Sequence, residues 1–132
     1  MTDLLRNDRL IVAVYGSLKR GFYNHRLLER STFLSDGQVQ GFEMFSLGSF
    51  PMVTPGRGSI AVELFEVDHA TFAQLDRLEG FPNFYGRTVV TASTAYCPVQ
   101  AWLYVGRREQ VKGQPRVRSG VWQQQEPQWQ RR

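Results

Sequence analysis

Leu10-Ile11-Val12-Ala13-Val14-Tyr15-Gly16-Ser17-Leu18-Lys19-Arg20-Gly21 is the stretch from which the fold can be read. Its first six residues are apolar and rich in branched side chains, which pack well on a pleated surface, so Leu10–Tyr15 is expected to form a buried strand. Gly16 opens a tight turn, and the loop runs to Gly21. Asn24 can then cap a short helix over His25–Arg30, with Leu27 and Leu28 facing inward. Strand, loop and helix in that order set a first unit on which the rest of the chain must close.

Downstream, Phe33–Leu47 mixes apolar and polar residues and is broken by Gly37 and Gly41, which suits one or two bent strands of a strongly curved sheet. Ser49–Gly58 holds two prolines and two glycines and is expected to be a loop. In Ile60–Val67 the residues Ile60, Val62 and Leu64 share one face while Ala61, Glu63 and Phe65 share the other, the period of a strand. Asp68 is a natural N-cap for a helix ending at Glu79, with Gly80 as the residue that closes it and Pro82 just beyond. Arg87–Ala92 and Val99–Val105 are expected to form a hairpin across a polar turn containing Pro98. These elements specify an α+β fold, a small curved mixed β-sheet or barrel flanked by two main helices.

The chain has 132 residues, enough for one domain with its own core. Residues 1–106 carry nine Lys or Arg against ten Asp or Glu, whereas residues 107–132 carry seven against two, so the positive excess of +4 lies in the C-terminal stretch. That stretch is rich in Gln, Arg and Pro, and it is expected to be an extended basic tail outside a domain spanning residues 1–106. Arg107, Arg108, Lys112, Arg116 and Arg118, with Trp122 or Trp129 as stacking groups, are the one hint of nucleic-acid binding, which the low charge density disfavours. The apolar run Leu10–Val14 is too short for a signal peptide or a membrane span. Cys97 is the only cysteine, so no intramolecular disulfide can form, and a cytoplasmic setting with an inert, partly buried thiol is expected.

Glu79 is the most informative single residue. At 100 degrees per residue it falls about 40 degrees from Leu75 and about 20 degrees from Phe72, with Leu78 completing an apolar stripe. A carboxylate on the core-facing side of a helix is costly unless paired or protonated, and burial would raise its pKa and make it a better proton acceptor. As the last residue of the helix it could instead turn outward to solvent or pair with Arg87, and periodicity alone leaves both open. The loop after the first strand can point successive backbone N–H groups at one anion, and a carboxylate would fit. It has neither the spacing of a phosphate-binding loop nor that of a nucleophile elbow around Ser17. Two lone histidines, His25 and His69, provide neither a serine triad nor, with one cysteine, a zinc site. His25 is expected to be structural and His69 an exposed first-turn residue.

Val14 to Gly21 followed by Asn24-His25 resembles the first signature of the gamma-glutamylcyclotransferase-like family, and Leu75-Asp76-Arg77-Leu78-Glu79-Gly80-Phe81-Pro82 with Tyr85 and Arg87 resembles the second. The gamma-glutamylamine cyclotransferase branch looks most similar, and Ala101–Val105 is similar to the family's closing strand with its tyrosine. The resemblance spans about residues 10–106. It implies that the Tyr15, Gly16, Ser17 and Leu18 loop binds the glutamyl end of a small-molecule substrate and that Glu79 is the catalytic acid/base. Tyr15, Tyr85, Arg87 and Tyr104 join the list of substrate-binding candidates, and neither a metal nor a cofactor is expected. The expected reaction is cleavage of a gamma-glutamyl amine or amide by its own α-amine, releasing 5-oxoproline. Phe22-Tyr23 stands where the amine branch usually has a smaller polar pair. A binding module that holds a small carboxylate or glutamyl group without chemistry is the alternative.

Overall fold

The structure is a computed structural model that describes residues 9–123. Strand β1 (Arg9–Val14) is followed by a 3-10 turn (His25–Leu28), long strands β2 (Thr32–Ser46) and β3 (Pro51–Asp68), helix α1 (His69–Glu79), and strands β4 (Gly86–Ala92) and β5 (Val99–Val105). The sheet order is β2-β3-β1-β5-β4. β1 lies at its centre, antiparallel to β3 and parallel to β5, which is why its sequence is an unbroken apolar run. β4 and β5 pair antiparallel, as their hairpin pattern predicts.

Alternate side chains of β1 divide the core. Val12 and Val14 pack with Phe65, Val67, Phe72 and Leu75 on the α1 side. Ala13 and Tyr15 pack with Ile60, Val62, Leu64, Leu103 and Trp122 on the other. The period-two reading of Ile60–Val67 is thus realised. The two sheet edges touch at a single bridge, Gln38 to Ser93, so the curled sheet is an open half-barrel and not a closed barrel. Register shifts between Phe33 and Ser35 and between Gln40 and Phe42 supply the bends in β2.

Three local expectations need correction. Ser49–Gly58 is not a loop: β3 begins at Pro51 and pairs with β2 through Pro55 and Thr54. β1 meets β3 only over Glu63–Asp68, so the first half of β3 has a full partner on one side, a position that tolerates Pro and Gly. The helix at His25 is one 3-10 turn, and Asn24 does not cap it but donates from Nδ2 to Ser17 Oγ at 2.8 Å. One main helix, α1, therefore flanks the sheet. Cys97 is exposed, not partly buried.

The stretch after Gly106 returns over the sheet as far as it is described. Ser46 N–H donates to the Pro115 carbonyl, Val117 N–H to Met44 and Ala61 N–H to Gly120, all at 2.8–2.9 Å. Val111 and Trp122 are buried, and Lys19 Nζ donates to the Trp122 carbonyl at 2.8 Å. Arg107 pairs with Glu109 and Arg116 with Glu43, so two of the five basic residues and the Trp122 ring are not free for nucleic acid. Trp129 lies outside the described residues. No helix among the described residues is long and apolar enough to cross a membrane.

Candidate active site

Helix α1 delivers Glu79. Thr71 N–H donates to Asp68 Oδ1 at 2.8 Å, capping the first turn, and Gly80 closes the last one at φ 67°, a left-handed conformation that side chains resist. Phe72 and Leu75 are buried, each burial contributing roughly 1.5–3 kcal/mol to docking the helix. Leu78, expected to complete the stripe, is 41% exposed instead.

At the end of β1 lies a cavity of about 330 Å3. The Tyr15–Leu18 loop forms one wall, Leu78 and Glu79 a second, Phe84 and Tyr85 a third, and Phe50, Pro51 and Tyr104 close it. Gly16 sits close to the opposite wall: a Cβ there would stand 3.0 Å from Pro51 Cγ, so a side chain would press on that proline. Asn24 and His25 hold the loop from outside. Asn24 N–H donates to the Ser17 carbonyl at 2.8 Å, and His25 Nδ1 to the Leu18 carbonyl at 2.9 Å. Ser17 Oγ therefore has Asn24 and not a histidine as its partner. The backbone N–H groups of Gly16, Ser17 and Leu18 meet no protein acceptor among the described residues.

Glu79 keeps some accessible surface because it faces the cavity, yet protein crowds its carboxyl and desolvation pushes its pKa up to about 7. No ion pair or side-chain hydrogen bond to it exists among the described residues, so nothing offsets the burial. Of the two alternatives left open by periodicity, pairing with Arg87 is not what the chain does. Arg87 makes a forked pair with Asp76, Nε to Oδ1 at 3.0 Å and Nη2 to Oδ2 at 3.1 Å. It also packs over the rings of Phe72, Phe81 and Trp102, and it does not line the cavity.

The three tyrosines do line it, but their hydroxyls are engaged. Tyr15 donates to the Tyr104 carbonyl (2.9 Å), Tyr85 to the Pro51 carbonyl (2.6 Å) and Tyr104 to Asp76 Oδ1 (2.7 Å). Burial raises the pKa of all three well above the ordinary phenol value, so they stay neutral. Sequence reasoning missed Phe50, Pro51 and Phe84 as wall residues. The first two stand within the stretch expected to be a loop, and no local pattern marks residues that meet the Tyr15–Leu18 loop only through the fold. Among the described residues no group of three or more His, Cys, Asp or Glu side chains could hold a metal ion.

An open half-barrel that encloses one unpaired carboxyl beside a strand-to-turn loop fits a class: a small α+β enzyme with a single cavity for a compact ligand. The particular family follows from comparison with known proteins. The family model described as gamma-glutamyl cyclotransferase, AIG2-like, matches residues 12–124. The gamma-glutamylcyclotransferase family protein YtfP of Escherichia coli strain K12 is 33% identical over 111 residues, covering 84% of this chain and 94% of that protein. The solution structure of Escherichia coli ytfP matches with a TM-score of 0.66 and 34% identity over 86% of this chain and 96% of that one. The crystal structure of an AIG2-like protein from Mus musculus matches with a TM-score of 0.78 and 25% identity over 89% and 90%. The chain belongs to the gamma-glutamyl cyclotransferase family, and cyclotransferase activity on a gamma-glutamyl group is the activity of that family.

Proposed function

We propose that this chain cleaves gamma-glutamyl amines or amides, with Glu79 as the acid/base and the Gly16–Leu18 backbone as the cradle for the substrate α-carboxylate. The observation that carries this reading is that Glu79, whose carboxyl is unpaired, lines one cavity with Gly16, Ser17 and Leu18, whose N–H groups meet no protein acceptor among the described residues. In the proposed cycle ionised Glu79 takes a proton from the α-ammonium. The freed nitrogen attacks the γ-carbonyl carbon of the same molecule, forming the ring C–N bond. Protonated Glu79 hands its proton to the departing nitrogen as the old C–N bond breaks. It then takes the second proton from the ring nitrogen, and that proton leaves with the amine as its ammonium. The products are 5-oxoproline and the free amine.

Holding attacking and attacked atoms together within one folded ligand can remove about 7–11 kcal/mol of barrier, which suits a site with a single proton-transfer group. A pKa near 7 matches the task, because the group must both accept and return a proton near neutrality. Tyr15, Tyr85 and Tyr104 serve this reading as neutral walls that shape the cavity, with Arg87 acting behind it through Asp76. Membership of the gamma-glutamylamine branch rests on the two signatures. A reducing cytosolic setting is part of the proposal, and the single cysteine favours it.

Incubating the full chain with gamma-glutamyl amides and measuring 5-oxoproline tests the proposal. Glu79→Gln is expected to lower kcat by roughly 10²–10⁴-fold with little change in ligand binding. Equal turnover by variant and wild type would remove Glu79 from the chemistry, and product below one equivalent per chain would favour a binding module.

A further inference from the structure

The outer part of the cavity carries information about what the gamma-glutamyl group is attached to. Among the residues lining it, Glu79 is the only one with a formal charge. Leu78 and Phe84, 41% and 42% exposed, are the lining residues most open to solvent and mark the mouth, and Phe50 lines the same cavity. The Phe50 and Phe84 rings meet edge to face at 5.9 Å, and Phe84 packs against Tyr85 in the same way at 5.1 Å. This is a wall of apolar and aromatic surface left open to solvent.

No Lys or Arg is among the residues lining the cavity, and four of the cations near the loop and helix are engaged elsewhere. Lys19 is held on the Trp122 carbonyl at 2.8 Å. Arg20 lies with Glu63 and Asp36, each at 3.4 Å, and Arg87 with Asp76 at 3.0 Å. Arg107, beside the Asn83–Phe84 segment, is engaged with Glu109 at 3.1 Å and with the Asn83 carbonyl at 3.4 Å. A leaving group with its own carboxylate would enter a mouth that offers no cation and would approach a second carboxylate, Glu79. Desolvation and like-charge repulsion both oppose that. A leaving group with an ammonium would find only Glu79 to pair with, which would lower the basicity the reaction needs. The volume, about 330 Å3, sits at the small end of the roughly 300–1,000 Å3 typical of small-molecule sites.

We infer that the leaving group is an apolar amine with no charged substituent, an alkylamine or arylalkylamine whose hydrocarbon part lies against Phe50, Leu78 and Phe84. This rests on the cyclotransferase reading above and names its substrate class.

The test compares kcat/KM of the full chain for gamma-glutamyl-butylamide and gamma-glutamyl-phenethylamide with that for gamma-glutamyl-ε-lysine and gamma-glutamyl-cysteinyl-glycine, each read as 5-oxoproline. The neutral amides are expected to be favoured by about tenfold or more. Charged substrates processed equally well or better overturn the inference while leaving the cyclotransferase reading intact. No product from any of the four overturns both. Leu78→Lys and Phe84→Lys, each at a partly exposed position, are expected to shift the ratio by about tenfold toward the carboxylate-bearing peptide. A ratio that neither variant moves means that the mouth does not select the leaving group.

Discussion

At Glu79 stability opposes the proposed function. Its carboxyl is pushed from 4.5 to about 7 by burial, a difference of about 3 kcal/mol between the two protonation states. Phe72 and Leu75, at roughly 1.5–3 kcal/mol each, are sufficient to hold the helix end docked against that penalty. The sign of the linkage follows: the folded protein binds the proton more tightly, so this contribution is complete below pH 4.5 and is lost as pH rises through 7. Glu79→Gln is therefore expected to match wild type in unfolding free energy at pH 4 and to exceed it by up to about 3 kcal/mol at pH 8, as measured by urea denaturation. Activity should run the other way, with kcat/KM rising through about pH 7 as the base form appears. A pH-independent stability difference between variant and wild type would mean that the carboxyl is not buried as described.

At the scale of elements, α1 is tied to the sheet by Asp76 as well as by its apolar face. Asp76 is one turn before Glu79 and accepts from Arg87 of β4 and from the Tyr104 hydroxyl of β5. Burial works to raise its pKa, but the Arg87 and Tyr104 hydrogen bonds outweigh it and hold the carboxylate below its ordinary range. The same network keeps the Arg87 cation on Asp76 and away from Glu79, as the proposed base role requires. Asp76→Asn is expected to cost about 1–3 kcal/mol, seen as a lower Tm, because it leaves a partly buried guanidinium short of its partner. It should also move the acid limb of the pH–rate profile downward if the released Arg87 reaches toward Glu79. An unchanged Tm would show that the apolar face alone fixes the helix.

For the whole molecule, the C-terminal stretch is the part whose role changes most between sequence and structure. Val111 and Trp122 are 5% and 6% exposed, and Lys19 is anchored to the Trp122 carbonyl. Emptying a buried Trp site alone costs about 3–5 kcal/mol, against a typical total of about 5–15 kcal/mol for a domain. A chain ending at Gly106 is therefore expected to be largely unfolded or to melt far below the full chain by circular dichroism. Full-length stability in the truncated chain would show that the domain is complete without residues 107–123.

The sequence by itself determined the local units: β1 from an unbroken apolar run, β3 beyond Ile60 from its period of two, and α1 from Asp68, Gly80 and the Phe72–Leu75 stripe. It also singled out Glu79 and the Tyr15–Leu18 loop, because an acidic residue on an apolar helix face and a strand-to-turn junction are visible within a few residues. Only the tertiary structure decided that Pro51–Gly58 continues a strand, that Trp122 fills the core and that Arg87 belongs to Asp76. Each of those outcomes depends on groups distant in the chain. Pairing with β2 overrides local turn preference in Pro51–Gly58, burial of Trp122 needs a site that the sheet creates, and a guanidinium chooses its carboxylate by approach geometry, which spacing along one segment does not encode.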